Sequence, residues 1–283
     1  METFRMSAVV PSFNQAPFLA ATLRSLLEQN DPALEIVVVD GGSTDGSVDI
    51  IRRHQDRLAW WVSERDEGQS HALNKGFARC TGEWLCWLNS DDLLLPGALR
   101  TLREQVARAP ATRWWIGGGH FIDERGRRTR SYGAPHGLHD AAGLSDWRTH
   151  WFAQPSTFFS RALFDQAGGQ VRQDLHYAMD LDLWLRLLAH AAPGTIDAEL
   201  SAYRIHSAAK TGMLGVKGEM EIVRVLQEAL GTERAMDRVA CIAADRLEFE
   251  QKWRKLQAVV DPLARPYLRL RAAWRGLTGA RGE

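Results

Sequence analysis

Few of the features that mark a secreted, membrane-spanning or nucleic-acid-binding chain occur in this sequence. There are only three cysteines in 283 residues, Cys80, Cys86 and Cys241. The odd count and the lack of metal-ligand spacing argue against a disulfide framework or a zinc cluster and suit reduced thiols. Neither sign of charge is in excess, with 35 Lys plus Arg against 35 Asp plus Glu, so no net field favours nucleic acid. No apolar run approaches the roughly 20 residues of a membrane span. The first apolar run, Ala8 to Val10, stops at Pro11, so no signal peptide is read and a cytoplasmic setting is expected. Repeats and low-complexity segments are absent. What remains is an ordinary globular composition, 45% apolar, with enough length for one large α/β domain plus an appendage. Eleven Trp is high; Trp lines sugar sites, and it is equally a large core side chain.

Short β-rich apolar runs alternate with helical periodicities. Strands are expected at Met6–Val10, Glu35–Val39, Leu58–Val62 and Trp84–Leu88, and helices over Pro17–Glu28, Ser47–His54, Gln69–Ala78 and Pro96–Ala107. Pro17 and Pro96 suit first turns, and Leu19, Leu23, Leu26 and Leu27 recur at helical spacing. Such alternation implies an open, mostly parallel sheet. After Arg113 the pattern changes to a hairpin (Trp114–Asp123 and Arg128–Tyr132) and a long Gly- and His-rich loop, Gly133–His150. A strand at Pro155–Ser160, helices at Arg161–Ala167 and Asp180–His190, and a strand within Ile196–Ile205 follow. From Lys217 onward the chain is helical in character.

Two strand ends carry clustered carboxylates: Asp40 in Val38-Val39-Asp40-Gly41-Gly42-Ser43-Thr44-Asp45, and Asp91 and Asp92 in Trp87-Leu88-Asn89-Ser90-Asp91-Asp92. Carboxylates at the C-terminal edge of a parallel sheet make a ligand site. Asp40 suits a hydrogen bond from a base N–H, or alternatively a turn in its Gly-rich loop. Adjacent Asp91 and Asp92 repel unless a cation sits beside them, and Mg²⁺ or Mn²⁺ shared with a diphosphate is the common arrangement. Asp66 lies in Glu64-Arg65-Asp66-Glu67-Gly68-Gln69-Ser70, where a loop opens a helix, a place for a nucleotide contact or for simple capping. Asp180 and Asp182 open an apolar helix. Either an N-cap or a general base that takes the proton of an attacking hydroxyl fits there. His206, with Arg204 and Lys210 nearby, suits a metal or a phosphate; a structural role is the alternative.

In this order the motifs strongly resemble glycosyltransferase family 2, over roughly residues 6 to 212, which implies an α/β fold of GT-A type. Val9-Val10-Pro11-Ser12-Phe13-Asn14 looks like the family's opening strand and loop, bringing Pro11 and Asn14 to the nucleotide. The resemblance makes Asp40 the uracil-reading Asp and Asp66 a second nucleotide contact, with Gln69, Lys75 and the ribose- or metal-facing Asp91 on the same side. Asp92 and His206 become metal ligands for Mn²⁺ or Mg²⁺. Gln154, in Gln154-Pro155-Ser156-Thr157-Phe158-Phe159, together with Trp151 and Asp182, would line the sugar and acceptor side. Asp180 becomes the catalytic base. Two departures stand out: Asn89 where the metal motif usually begins with Asp, and Met179 where Glu usually precedes the base. The family implies one inverting displacement from a nucleotide sugar, UDP- or dTDP-linked, onto a saccharide or lipid-linked acceptor in polysaccharide or glycolipid assembly. A sugar-phosphate nucleotidyltransferase would open with a Gly-rich, Arg- and Lys-bearing loop, which is missing. A degenerate saccharide- or partner-binding protein predicts loss of Asp92 or Asp180, and both are present. The Gly133–His150 loop and the surroundings of Trp147, Trp151 and Gln154 would choose sugar and acceptor.

The expected division is a catalytic domain over 1–212 and a helical extension over 213–283. Residues 252–283 hold eight Lys or Arg against Asp261 and Glu283, and Leu263, Tyr267, Leu270, Trp274 and Leu277 fall at alternating steps of four and three. A basic amphipathic helix of this kind suits peripheral contact with a membrane surface, or packing on the protein itself.

Overall fold

The computed structural model describes residues 4–145, 150–207, 209–210, 215–244, 246–248, 250–251 and 254. Trp147 and the basic 262–283 segment therefore lie outside the described residues. The elements run β1 (Met6–Ser12), α1 (Ala16–Leu27), β2 (Leu34–Asp40), α2 (Ser47–His54), β3 (Trp60–Ser63), α3 (Gln69–Phe77), β4 (Trp84–Trp87), β5 (Leu93–Leu94) and α4 (Ala98–Arg108). They continue with β6 (Trp114–Ile122), β7 (Arg128–Tyr132), α5 (Ala141–Ser145), β8 (Thr157–Ser160), α6 (Arg161–Gln166), α7 (Met179–Leu188), β9 (Gly194–Arg204) and α8 (Gly215–Leu230).

One sheet holds them in the order β3-β2-β1-β4-β8-β6-β9-β5, with β7 paired to β6. The first four strands are parallel neighbours, and β8 runs against both β4 and β6. Side chains alternate between faces as strand geometry requires. Val9, Val37 and Val39 face a core completed by α3, α6, α7 and α8, whereas Ala8, Val10, Ile36 and Val38 face α1, α2 and α4. Gly76 on α3 has no room for a side chain, because a Cβ there would sit 2.3 Å from Val9 Cγ1. That contact sets how closely α3 lies on β1. The change of pattern near residue 212 is not a change of core: Val225 and Leu226 of α8 share the cluster of Trp87, Phe159 and Trp184.

The register explains where ligand groups can gather. Ser12, Asp40 and Ser63 pair across β1, β2 and β3, so three strands end in line. The short β5, unexpected from the sequence, pairs antiparallel with β9, Leu93 with Ala202 and Leu94 with Ser201. This pairing brings the Asn89–Asp92 turn against Arg204. The long loop after β7 contains α5, and the strand expected from Pro155 begins at Thr157, after a single helical turn at Gln154–Ser156.

Candidate active site

A cavity of about 790 Å³ opens along the C-terminal ends of β1 to β4. At one end it is lined by Pro11 and Ser12 at the end of β1 with Phe13 beyond it, Gly41 after β2, Arg65, Asp66 and Gly68 between β3 and α3, and Gln69 at the start of α3. Asp66 Oδ1 accepts the Gly68 N–H at 2.9 Å. Its other oxygen packs on Gly41, where a Cβ would come within 2.8 Å of it, so Gly41 leaves the space that Asp66 occupies.

Asp40 sits behind this wall and does not line the cavity. Its carboxylate is fully buried and accepts four hydrogen bonds: from Gly42 N at 3.1 Å, Ser43 N at 2.8 Å, Ser43 Oγ at 2.5 Å and Ser63 Oγ at 2.7 Å. A carboxylate so committed shapes the Gly41–Ser43 loop and has little capacity left for a base. Asn14 also lies off the cavity. It takes the left-handed conformation, φ 51°, and clamps this loop, accepting from Thr44 N and donating its own N–H to Ser43 Oγ. Lys75 points elsewhere, to Glu64 at 2.8 Å.

The middle of the cavity is the turn after β4. Asp91 and Asp92 both line it. Asp92 Oδ1 accepts the Arg204 N–H at 2.8 Å, and Arg204 Nε donates to the Asp91 carbonyl at 2.7 Å. Thr22 Oγ1 donates to the carbonyls of Ser90 and Asp92, fixing the turn from α1. His206 lies just behind, its Nε2 3.0 Å from Asp91 Oδ2. Burial, with Asp91 alongside, pushes the Asp92 carboxyl well above the usual range, a state that a bound cation would reverse. Asp91, Asp92 and His206 supply two hard oxygen donors and an imidazole, which suit Mn²⁺ or Mg²⁺. Among the described residues no group of three or more His, Cys, Asp or Glu is placed to hold a metal ion by itself. The remaining coordination positions would fall to the ligand and water.

A hydrogen-bonded chain crosses the cavity floor. Lys210 Nζ donates to Gln69 Oε1 at 2.9 Å, Gln69 Nε2 donates to Asn89 Oδ1 at 2.8 Å, and Asn89 Nδ2 reaches Asp92 Oδ2 at 3.4 Å. The amide at position 89 accepts at one end and donates at the other, which an ionised Asp cannot do, and this gives the departure from Asp a physical reason.

The cavity is also lined by Asp180, the second residue of α7, and by Lys210, Gln154, Trp151, His176 and Tyr177. Burial raises the Asp180 carboxyl above its ordinary value, against the opposing charge of Lys210. Burial lowers the Lys210 ammonium to about 8, against the opposing pull of Asp180 and Glu221. Gln154 is buried, donates Nε2–H to the Trp87 carbonyl at 2.9 Å and leaves Oε1 unpaired. Trp151 is 42% exposed and stacks on Phe121 at 5.6 Å. Asp182 is the exception on this side. Two residues beyond Asp180 it lies about 200° around the helix, where it pairs with Arg186 at 2.8 Å and Arg172 at 3.4 Å. It is a structural ion pair and does not line the cavity.

Sequence reasoning missed Ser12, whose Oγ is buried in the cavity wall without a partner. It stands between Pro11 and Asn14, and the strand end was the available signal. Arg65, beside Asp66 in its loop, and His176, Tyr177 and Tyr203 also line the cavity.

The model of the family described as Glycosyl transferase family 2 matches residues 7–168. The chain belongs to glycosyltransferase family 2. A glucosyltransferase of Campylobacter jejuni, named GalNAc(5)-diNAcBac-PP-undecaprenol beta-1,3-glucosyltransferase, is 24% identical over 244 residues, 82% of this chain and 77% of that protein. The structure of S. aureus TarS 1-349 in complex with UDP-GlcNAc aligns over 81% of this chain and 69% of that one, with a TM-score of 0.63 at 16% identity. The mannosyltransferase PcManGT of Pyrobaculum calidifontis, in complex with GDP-Man and Mn²⁺, aligns over 99% of this chain and 89% of that one, with a TM-score of 0.63 at 19% identity. The fold of this glycosyltransferase is therefore the mixed α/β GT-A fold with a helical C-terminal region. Among the described residues no helix is long and apolar enough to cross a membrane.

Proposed function

We propose that this family 2 glycosyltransferase moves a sugar from a nucleotide sugar, UDP- or dTDP-linked, to a hydroxyl of a saccharide or lipid-linked acceptor, with inversion, in polysaccharide or glycolipid assembly. The observation that carries this reading is that Asp180 and the Asp91–Asp92 turn line one cavity. A direct displacement needs a base on one side of the anomeric carbon and charge stabilisation of the leaving diphosphate on the other. The lipid-linked option draws on the undecaprenol-linked substrate in the name of the Campylobacter relative.

In this reading Asp66 and Ser12 hold the nucleoside, since they face the cavity, while Asp40 and Asn14 build the loop beneath it. Asp92 and His206 hold the metal, with Asp91 on metal or ribose. The metal, when bound, supplies positive charge against the departing diphosphate. Arg204 and Lys210 add to that charge from the protein side. Gln154 offers its unpaired carbonyl oxygen to a sugar hydroxyl, and Trp151 offers a ring face to the acceptor. Asp180 removes the acceptor's proton; burial raises its carboxyl above the ordinary value, which makes it a stronger base than an ordinary carboxylate once ionised.

The test is calorimetric titration of UDP, dTDP and GDP into the full chain, with Mn²⁺ and then with EDTA. Metal-dependent binding of UDP or dTDP is expected. Absence of binding by every nucleotide with Mn²⁺ present would contradict the donor assignment and favour a protein that only binds saccharide or a partner.

A further inference from the structure

Helix α7 carries Asp180 yet lacks an N-cap of its own. Ala178 occupies the cap position and makes no side-chain hydrogen bond, and within the first turn the Leu181 N–H is taken by Asp180 Oδ1 at 2.8 Å. The segment that leads into the helix is held from α8. Glu221 Oε2 receives three consecutive backbone N–H groups, from His176 at 2.9 Å, Tyr177 at 2.6 Å and Ala178 at 3.2 Å. Successive N–H groups converging on one oxygen form an anion nest, and here the anion is a side chain of the same protein.

Two further ties run in parallel. Arg224 pairs with Asp174 at 2.7 Å and Glu228 with Arg172 at 2.5 Å. Residues 221, 224 and 228 lie on one stripe of α8, and all three grip the segment 172–178. The neighbouring stripe, Ile222, Val225 and Leu226, packs into the core. His176 and Tyr177, whose N–H groups Glu221 holds, line the cavity beside Asp180.

We infer that Glu221 is a positioning residue for the catalytic end of the cavity: it fixes the 176–178 backbone and so the direction in which α7 presents Asp180. The first helix after residue 212 is thereby part of the catalytic machinery. The link to catalysis rests on Asp180 being the base; the backbone link does not.

The experiment compares Glu221→Ala and Glu221→Gln in the full chain. Amide hydrogen exchange, which needs no ligand, reads the backbone directly. Exchange in a peptide covering 172–181 speeds up roughly tenfold or more in Glu221→Ala, and less in Glu221→Gln, whose amide oxygen still accepts. The α1 to α4 peptides stay unchanged in both. Unchanged exchange at 172–181 would overturn the inference, and so would an equal acceleration everywhere. If Glu221→Ala fails to fold, Glu221→Gln carries the same comparison. In turnover of UDP-glucose, UDP-N-acetylglucosamine, dTDP-glucose or GDP-mannose, kcat falls roughly ten- to a hundredfold in Glu221→Ala with KM for the donor within about twofold. Adding Glu221→Ala to Asp180→Asn costs nothing further; an additional loss as large as the single variant's would show that Glu221 acts elsewhere. Full activity of Asp180→Asn alone would defeat the base assignment and leave the exchange result standing.

Discussion

Asp91 Oδ2 and His206 Nε2 lie 3.0 Å apart although 115 residues separate them in the chain. The contact depends on the two-residue strand β5, which binds the turn after β4 to the end of β9. The candidate cation site is thus assembled by sheet pairing rather than by any local motif.

Removing a cation donor from this pair is expected to act on the nucleotide through the metal. His206→Ala and Asp92→Ala each weaken UDP binding in Mn²⁺ by roughly tenfold or more, while the weak binding in EDTA stays as in the wild type. Calorimetry reads both. Equal metal-dependent affinity in wild type and variants would place the cation elsewhere.

Asn89→Asp removes the donor that reaches Asp92 and adds a third carboxylate to the turn. Without metal the variant loses about 1–3 kcal/mol of stability, and Mn²⁺ raises its melting temperature more than it raises that of the wild type. Melting curves with and without Mn²⁺ check this; identical curves would contradict the relay from Gln69 through Asn89.

Lys210 and Asp180 together set a bell-shaped pH dependence. Asp180, raised above its ordinary value, must lose its proton, so kcat rises through the acid limb. Lys210, lowered to about 8, loses its charge above that pH, so activity falls there. Lys210→Arg keeps its charge at every accessible pH, and its alkaline limb moves upward by about a unit or more. An unmoved alkaline limb would show that another group titrates.

Asp182→Asn separates structure from chemistry on α7. Breaking the pair with Arg186 costs about 1–3 kcal/mol in denaturant unfolding, below the figure for a wholly buried pair because Arg186 is 28% exposed. Metal-dependent UDP affinity stays within about twofold. A large loss of nucleotide affinity in a folded variant would return Asp182 to the site.

Much of the frame was legible because β1 to β4 announce themselves by apolar runs and end in carboxylates. Asp66, Asp91, Asp92 and Asp180 line one cavity. The direction a strand-end carboxylate takes is a different matter. Asp40 turns back because Ser43, three residues on in its own loop, and Ser63, from β3, capture it. Asp182 carried a readable warning: it stands four residues before Arg186, the spacing of a helical ion pair. The chain from Lys210 to Gln69 spans 141 residues, and no spacing rule reaches that far. Glu221, Arg224 and Glu228 share a helical stripe that the sequence shows, but what the stripe grips becomes visible only when α8 packs beside α7.

The central claim is that Asp180 takes the acceptor's proton across the cavity from the Asp91–Asp92 turn. Its most direct test measures, for wild type and Asp180→Asn, both UDP affinity in Mn²⁺ and turnover of the nucleotide sugars named above. UDP affinity within about twofold, with turnover lower by roughly 10²- to 10⁴-fold, is the predicted result. Wild-type turnover in Asp180→Asn would contradict it.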